Sequence, residues 1–161
     1  MKGSKLTHID ESGNPMMVDV SEKSVTKRVA SAQAVVVLGK EILKHISNGD
    51  LMTKKGPVFH TAILAGVMGA KKTADLIPLA HPLSMEDCKI SITPSKDRVT
   101  IKSVVSVSSK TGVEMEALTA VSIAALTVYD MCKAMSHNII ISEIMLIEKT
   151  GGKKDFKRKS L

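Results

Sequence analysis

Residues 88–108 read CKISITPSKDRVTIKSVVSVS, and this stretch decides the fold. Apolar and polar residues alternate on both sides of PSKD, as they do along a strand whose successive side chains point to opposite faces. Pro94 and Asp97 suit the turn between the halves, because proline pre-sets a turn dihedral and aspartate bonds to nearby amides. The stretch is expected to be an antiparallel hairpin. Downstream, residues 111–135 have the length and apolar character of a helix, and IIISEIMLIE (139–148) that of a last strand before the Gly151-Gly152 break. Upstream, the Val-rich RVASAQAVVVL (28–38) suits a strand. KEILKHIS follows Gly39 with Ile42, Leu43 and Ile46 at helical spacing. SNGDLMTKKGP reads as a loop, Pro57 sits in the first turn of a second helix running towards Ile77, and Pro78 ends it. Ala62, Ala65, Gly66, Gly69 and Ala70 on that helix would let another backbone come close.

The resulting order is βααββαβ. With the two early helices taken as one crossover layer, the expected fold is α+β, a ferredoxin-like sandwich whose four-stranded antiparallel sheet carries its helices on one face. Because AVVVL and IIISEIML place apolar residues on both sides of the pleat, the uncovered face is expected to drive association between chains. Residues 1–24 show no sustained period. The expectation is one domain over 1–161, with a flexible arm over about 1–16 and a basic tail over about 150–161.

A chain of 161 residues, 43% hydrophobic, is large enough for one compact core. Lys and Arg number 23 against 16 Asp and Glu, but residues 149–161 alone hold six basic residues and one acid, so the body is only mildly basic. Phe59, Phe156 and Tyr129 are the only aromatic residues, too few for base stacking, so an anionic small molecule fits the charge better than nucleic acid. Two unpaired cysteines and no leader-like N-terminus point to the cytoplasm. The apolar run Ala117–Cys132 is broken by Thr, Ser and Asp130 and is shorter than a membrane span, so no membrane role is expected.

Two carboxylates open the third helix. Thr111 and Glu114 have the spacing of a capping box, and Glu116 is either a favourable charge at the positive helix end or a functional group. Fourteen residues separate Glu116 from Asp130, which returns almost to the same azimuth but places them roughly 21 Å apart along the axis. They cannot serve one small ligand within one chain, so a site using both would lie between subunits. Asp130 and Lys133 form an i, i+3 pair in an apolar setting, where partial desolvation would shift their pKa values. His81 is held in IPLAHPL between Pro78 and Pro82, in a backbone that cannot be helical. None of His8, His45, His60, His81 or His137 stands at metal-ligand spacing to another, and no metal is expected.

MVDVS (17–21), DLIPLAHPL (75–83), KTGVEMEALTA (110–120) and YDMCKA (129–134) together resemble the MoaC-type cyclic pyranopterin monophosphate synthases of molybdenum cofactor biosynthesis. The resemblance runs from Thr7-His8 to Asp155-Phe156. It implies a lyase that rearranges 3′,8-cyclo-7,8-dihydro-GTP to cyclic pyranopterin monophosphate with loss of pyrophosphate and without a redox cofactor. It also implies a homo-hexamer, a trimer of dimers with active sites at subunit interfaces. By the same resemblance Asp130, Lys133 and Lys55 are catalytic, while Leu79, Ala80, His81, Met115 and Glu116 bind substrate. Glu114, Lys71, Lys149 and Arg28 add further lining. Two departures stand out: Ala80 where the family commonly has Cys, and a tail Gly151-Gly152-Lys153-Lys154-Asp155 where it commonly has Gly-Gly-Lys-Ser-Gly-Asp.

Lysines suit the implied reaction because fixed cations offset the triphosphate and stabilise departing pyrophosphate. A lysine beside other lysines would also have a lowered pKa and move protons. The alternative is a non-catalytic oligomeric module that binds an anionic nucleotide or RNA through the basic tail. That binding would weaken steeply with salt.

Overall fold

The computed structural model describes residues 12–159. The Thr7-His8 end of the resemblance and most of the arm fall outside them. The chain runs β1 (Thr26–Val37), α1 (Lys40–Leu43), β2 (Ile46–Ser47), β3 (Asp50–Thr53), β4 (Gly56–Pro57), α2 (Val58–Lys71), α3 (Thr73–Leu76), β5 (Asp87–Ser95), β6 (Arg98–Ser109), α4 (Glu114–Cys132), β7 (Ile140–Thr150) and β8 (Phe156–Lys157). The hairpin forms as read: β5 and β6 pair antiparallel from Asp87↔Ser106 to Ser95↔Arg98.

The fold is α+β, with an antiparallel sheet ordered β5-β6-β1-β7-β8. It has five strands rather than four, because part of the basic tail adds as β8 to β7 through Glu148↔Lys157 and Lys149↔Phe156. Three other segments differ from the sequence reading. SNGDLMTKKGP is not an open loop but supplies β3 and β4 of a small second sheet with β2. Ile46 belongs to that sheet, so α1 is a single turn. Finally, α2 stops at Lys71. Lys72 leaves helical geometry, the Thr73 hydroxyl donates to the Ala70 carbonyl oxygen (2.9 Å), and the chain resumes as the short α3.

One face of the sheet is built from alternate residues. Ala30, Ala32, Ala34 and Val36 of β1 lie beside Val99, Ile101, Val105 and Val107 of β6, all buried in one apolar cluster with Ala117, Val121, Ala124 and Val128 of α4. Small alanines on the central strand let the helix lie close, and Ser103 Oγ donates to the Ala117 carbonyl oxygen at 2.8 Å. The opposite face is more polar than expected, since Lys89, Ser91, Thr93, Thr100 and Lys102 point there, together with exposed Val104. The mixed parity of β7 has a local cause. Bulges opposite Ser31/Ala32 and Gln33/Val35 shift its register, with Glu143 at φ 54°, so Ile141 and Leu146 both reach the core despite their odd spacing.

α4 touches β1, β6, β7 and α2. A helix covered on most sides is apolar all round, and at 19 residues with mean hydropathy 1.3 it is long and apolar enough to cross a membrane, although 56% of it is buried in this fold. The small-residue stripe of α2 is what meets it. A Cβ on Gly66 would stand 2.8 Å from the Ala120 carbonyl oxygen and 2.5 Å from Ile90 Cδ1. The isoleucine can turn away, but a helix carbonyl cannot. Gly66→Ala is therefore expected to destabilise the fold by about 1–3 kcal/mol through overpacking, read as a lower denaturant midpoint at unchanged slope.

Candidate active site

The two ends of α4 carry different chemistry. At its start Val113 is the N-cap, so Glu114 is the first helical residue and the Thr111–Glu114 capping box does not form. The Glu114 carboxylate instead folds back over Gly112 and accepts from Lys149 Nζ of β7 at 2.8 Å. A half-buried ammonium offers a charge-assisted bond that outcompetes a free amide. Glu116, two residues on in the same first turn, is 4% exposed. Burial pushes its carboxyl above the usual range, its own backbone amide works against this, and the neighbouring Glu114 charge adds to the rise.

Past α3 the chain enters an extended loop, where the Ala80 amide donates to the Ile77 carbonyl oxygen (3.0 Å). His81 Nε2 donates to the Val18 carbonyl oxygen at 2.9 Å, which fixes the ring against residues leading into β1. A cleft of about 680 Å³ then gathers Leu79, Ala80, His81, Glu114, Met115 and Glu116. A second cleft of about 750 Å³ is lined by Arg28, Lys110, Lys149, Gly151, Gly152, Lys153 and Lys154. The two share Lys23, Thr111, Gly112, Glu114 and Lys153, so they form one trough with a carboxylate-and-imidazole end and a basic end. Eight of the nine expected binding residues line it. Lys71 does not; it borders a separate cavity with Leu83 and Cys88. Sequence reasoning passed over Lys23 and Lys110 as lining, although Lys110 begins the KTG motif. Lys110 Nζ donates to the Ser21 carbonyl oxygen at 2.6 Å, closing the trough's rim.

The far end of α4 holds the third group. Lys55, in the turn between β3 and β4, places Nζ 2.7 Å from Asp130 Oδ2 and 3.0 Å from the Asp130 carbonyl oxygen. Lys133 Nζ reaches Asp130 Oδ1 at 2.8 Å. The three expected catalytic residues are thus together, but their side chains are half exposed rather than desolvated. Hydrogen bonds from Lys133 and Lys55, with their charges, bring the Asp130 carboxyl down to about 2, and the same pairing raises Lys133. Lys133 therefore has a raised pKa, not the lowered one expected from neighbouring lysines, because a carboxylate lies between the two cations. Neither end includes a cluster of three His, Cys, Asp or Glu side chains able to hold a metal, among the described residues.

Opposite signs follow for the two acids. Asp130 is depressed, so its stabilising contribution is present above the ordinary carboxylate pKa of about 4 and is lost as pH falls through about 2. Lys133→Met should raise the Asp130 midpoint, read from its carboxyl carbon resonance. Glu116 is raised, so its buried charge destabilises the fold as pH rises through the carboxylate range. Glu116→Gln should increase the melting temperature at pH 7, and the gain should vanish at pH 4.

Residues 17–152 match the MoaC family. The chain is 52% identical over 156 residues to "Cyclic pyranopterin monophosphate synthase 1" of Mycobacterium bovis, covering 96% of this chain and 91% of the relative. The same identity and coverage hold for the proteins of that name in two strains of Mycobacterium tuberculosis. It is 50% identical over 157 residues to "Molybdenum cofactor biosynthesis protein 1" of Drosophila melanogaster, of whose length it spans only 27%. With that family match across most of its length, and about half its residues shared with these relatives, the chain belongs to the MoaC family.

Proposed function

We propose that the protein is a cyclic pyranopterin monophosphate synthase, a lyase that converts 3′,8-cyclo-7,8-dihydro-GTP to cyclic pyranopterin monophosphate and pyrophosphate in molybdenum cofactor biosynthesis. The observation that carries this reading is the trough, whose two ends match the two parts of that substrate. Its carboxylate-and-imidazole end, with Glu116, His81 and Met115, suits the donors and flat surface of a purine-derived ring. The basic end, with Arg28, Lys110, Lys149 and Lys153, suits the triphosphate. In the reaction water opens the five-membered ring of the purine-derived group and the freed amine closes the pterin ring on the sugar-derived carbonyl with loss of water, while a sugar hydroxyl attacks the α-phosphorus and the bond to the β-phosphate breaks as pyrophosphate leaves. No electrons are gained or lost, so the chain's own acids and bases suffice. Lys133, its pKa raised by Asp130, is suited to stay cationic beside the reacting centre, and Lys55 to hold Asp130 and neutralise charge there.

On this reading the trough of one chain is completed by the Lys55–Asp130–Lys133 cluster of another, because roughly 21 Å of helix separates the two within a chain. That favours an oligomer with sites at its interfaces, a homo-hexamer arranged as a trimer of dimers, and it gives Lys71 a place only if a second chain closes over its cavity. The four long strands, in the order β5-β6-β1-β7 with helices on one face, support the split βαβ or ferredoxin-like plan for a single domain. A cytoplasmic location accords with the unpaired cysteines.

Lys55→Ala and Lys133→Ala should each abolish release of pyrophosphate and pterin product from cyclic dihydro-GTP while the assembly stays intact by mass measurement. Retained turnover in both would remove the assignment, and tight, salt-sensitive binding of RNA in its place would favour the module reading. Glu116→Ala and Asp130→Ala, each inactive alone, should recover activity when mixed under subunit exchange, since one site of a mixed pair then carries both lesions and its mate carries neither. Persistent inactivity with exchange confirmed would reject a site shared between chains.

A further inference from the structure

Asp50 is 4% exposed at the start of β3, yet its carboxylate is the most heavily bonded side chain near Lys55. Oδ1 accepts from the Leu51 amide (2.6 Å) and the Phe59 amide (2.7 Å), while Oδ2 accepts from the His60 amide (3.1 Å) and from His60 Nδ1. Burial would raise this carboxyl, but the bonds from Phe59, His60 and Leu51 together hold it below its ordinary value. Pro57, the N-cap of α2, supplies no side-chain cap. Asp50 does so from across the hairpin, clamping the root of the β3–β4 turn to the first turn of α2. The tip is closed separately: the Lys55 amide donates to Thr53 Oγ1 (3.2 Å), and that hydroxyl donates to the Gly56 carbonyl oxygen (3.3 Å). Lys55 thus sits on a two-residue turn whose direction is set at its base by one buried carboxylate. α2 in turn packs on α4, which carries Asp130.

We infer that Asp50 is a positioning residue, acting through the β3–β4 hairpin to aim the Lys55 ammonium at Asp130. The inference rests on the catalytic roles proposed above for Lys55 and Asp130, but its geometric part can be read without turnover. In the native protein both lysines reach solvent but Lys55 Nζ is tied to Asp130, so trace acetylation followed by peptide mass spectrometry should label Lys55 more slowly than Lys54. In Asp50→Asn, which puts an amide donor against amide donors, the Lys55 rate should rise towards that of Lys54 with other lysines unchanged. kcat should fall about tenfold or more at little change in KM, as expected for a misplaced catalytic group. Asp50→Ser keeps a short capping hydroxyl for α2 but not the double grip, and serves where Asn does not fold. Asp50→Glu should restore part of the native pattern. A folded Asp50→Asn or Asp50→Ser in which Lys55 stays protected overturns the inference, as does unfolding of both, which would make Asp50 a stability residue only. Exposure of Lys55 with unchanged kcat would support the positioning while rejecting the catalytic role of Lys55.

Discussion

The approach of α2 to α4 through Gly66 is the constraint on which the rest of the structure depends. With no side chain between that glycine and the Ala120 carbonyl, the helices lie as close as their backbones allow. The extension of α2 at its C-terminal end carries the His81 loop, and the hairpin at its N-terminal end carries Lys55. Fixing α2 on α4 therefore brings the loop to the start of α4 and the hairpin to its end. One contact sets the geometry of both chemical groups, and a shift there would disturb Glu116 and Asp130 together.

The two carboxylates show how one helix supports opposite electrostatics. Glu116 lies in the first turn but is buried, and the favourable dipole does not offset the lost hydration, so its proton is held more tightly. Asp130 lies near the C-terminus, where the dipole is unfavourable to an anion, and two ammonium groups overcome that. Because these bonds are half exposed to water, they orient the cluster more than they stabilise the fold. A second surface closing over it would strengthen the same interactions by excluding solvent.

Much of this was legible in the sequence because it follows from local pattern. The β5–β6 hairpin, β1 and α4 each announce themselves through alternation or helical length, and the small-residue stripe announced the close packing of α2. What escaped depended on tertiary partners. The capping box at Thr111 failed because Lys149, distant in sequence, competes for Glu114. The second sheet was hidden because SNGDLMTKKGP has the composition of a loop, and its order comes from Asp50 reaching the amides of Phe59 and His60. The bulges in β7 cannot be read from IIISEIMLIE, where apolar residues of both parities suggested two buried faces. Of the site residues, the motifs gave the two groups but not the trough that joins the binding residues, and Lys71 parted from them because the C-terminal end of α2 sets it at another cavity, with Val67, Met85 and Cys88.

The backbone around Ala80 and around the Gly151–Asp155 tail is held by contacts that do not depend on the side chains at the positions between. At position 80 the loop is held by the amide donating to Ile77 and by the His81 ring on the Val18 carbonyl, so alanine leaves its path intact while still lining the cleft. In the shorter tail, Gly151 at φ 81° passes so close to the Lys27 carbonyl that a Cβ would lie 1.9 Å from that oxygen, and the Gly151 amide donates to Asp155 Oδ1 at 3.1 Å. The turn is thus closed by the aspartate at its end, whatever the residues between. Lys153 lines both halves of the trough, and Lys154 adds a cation at its basic end. With the turn closed in this way, Lys153 and Lys154 stand beside Arg28, Lys110 and Lys149 at the basic end of the trough.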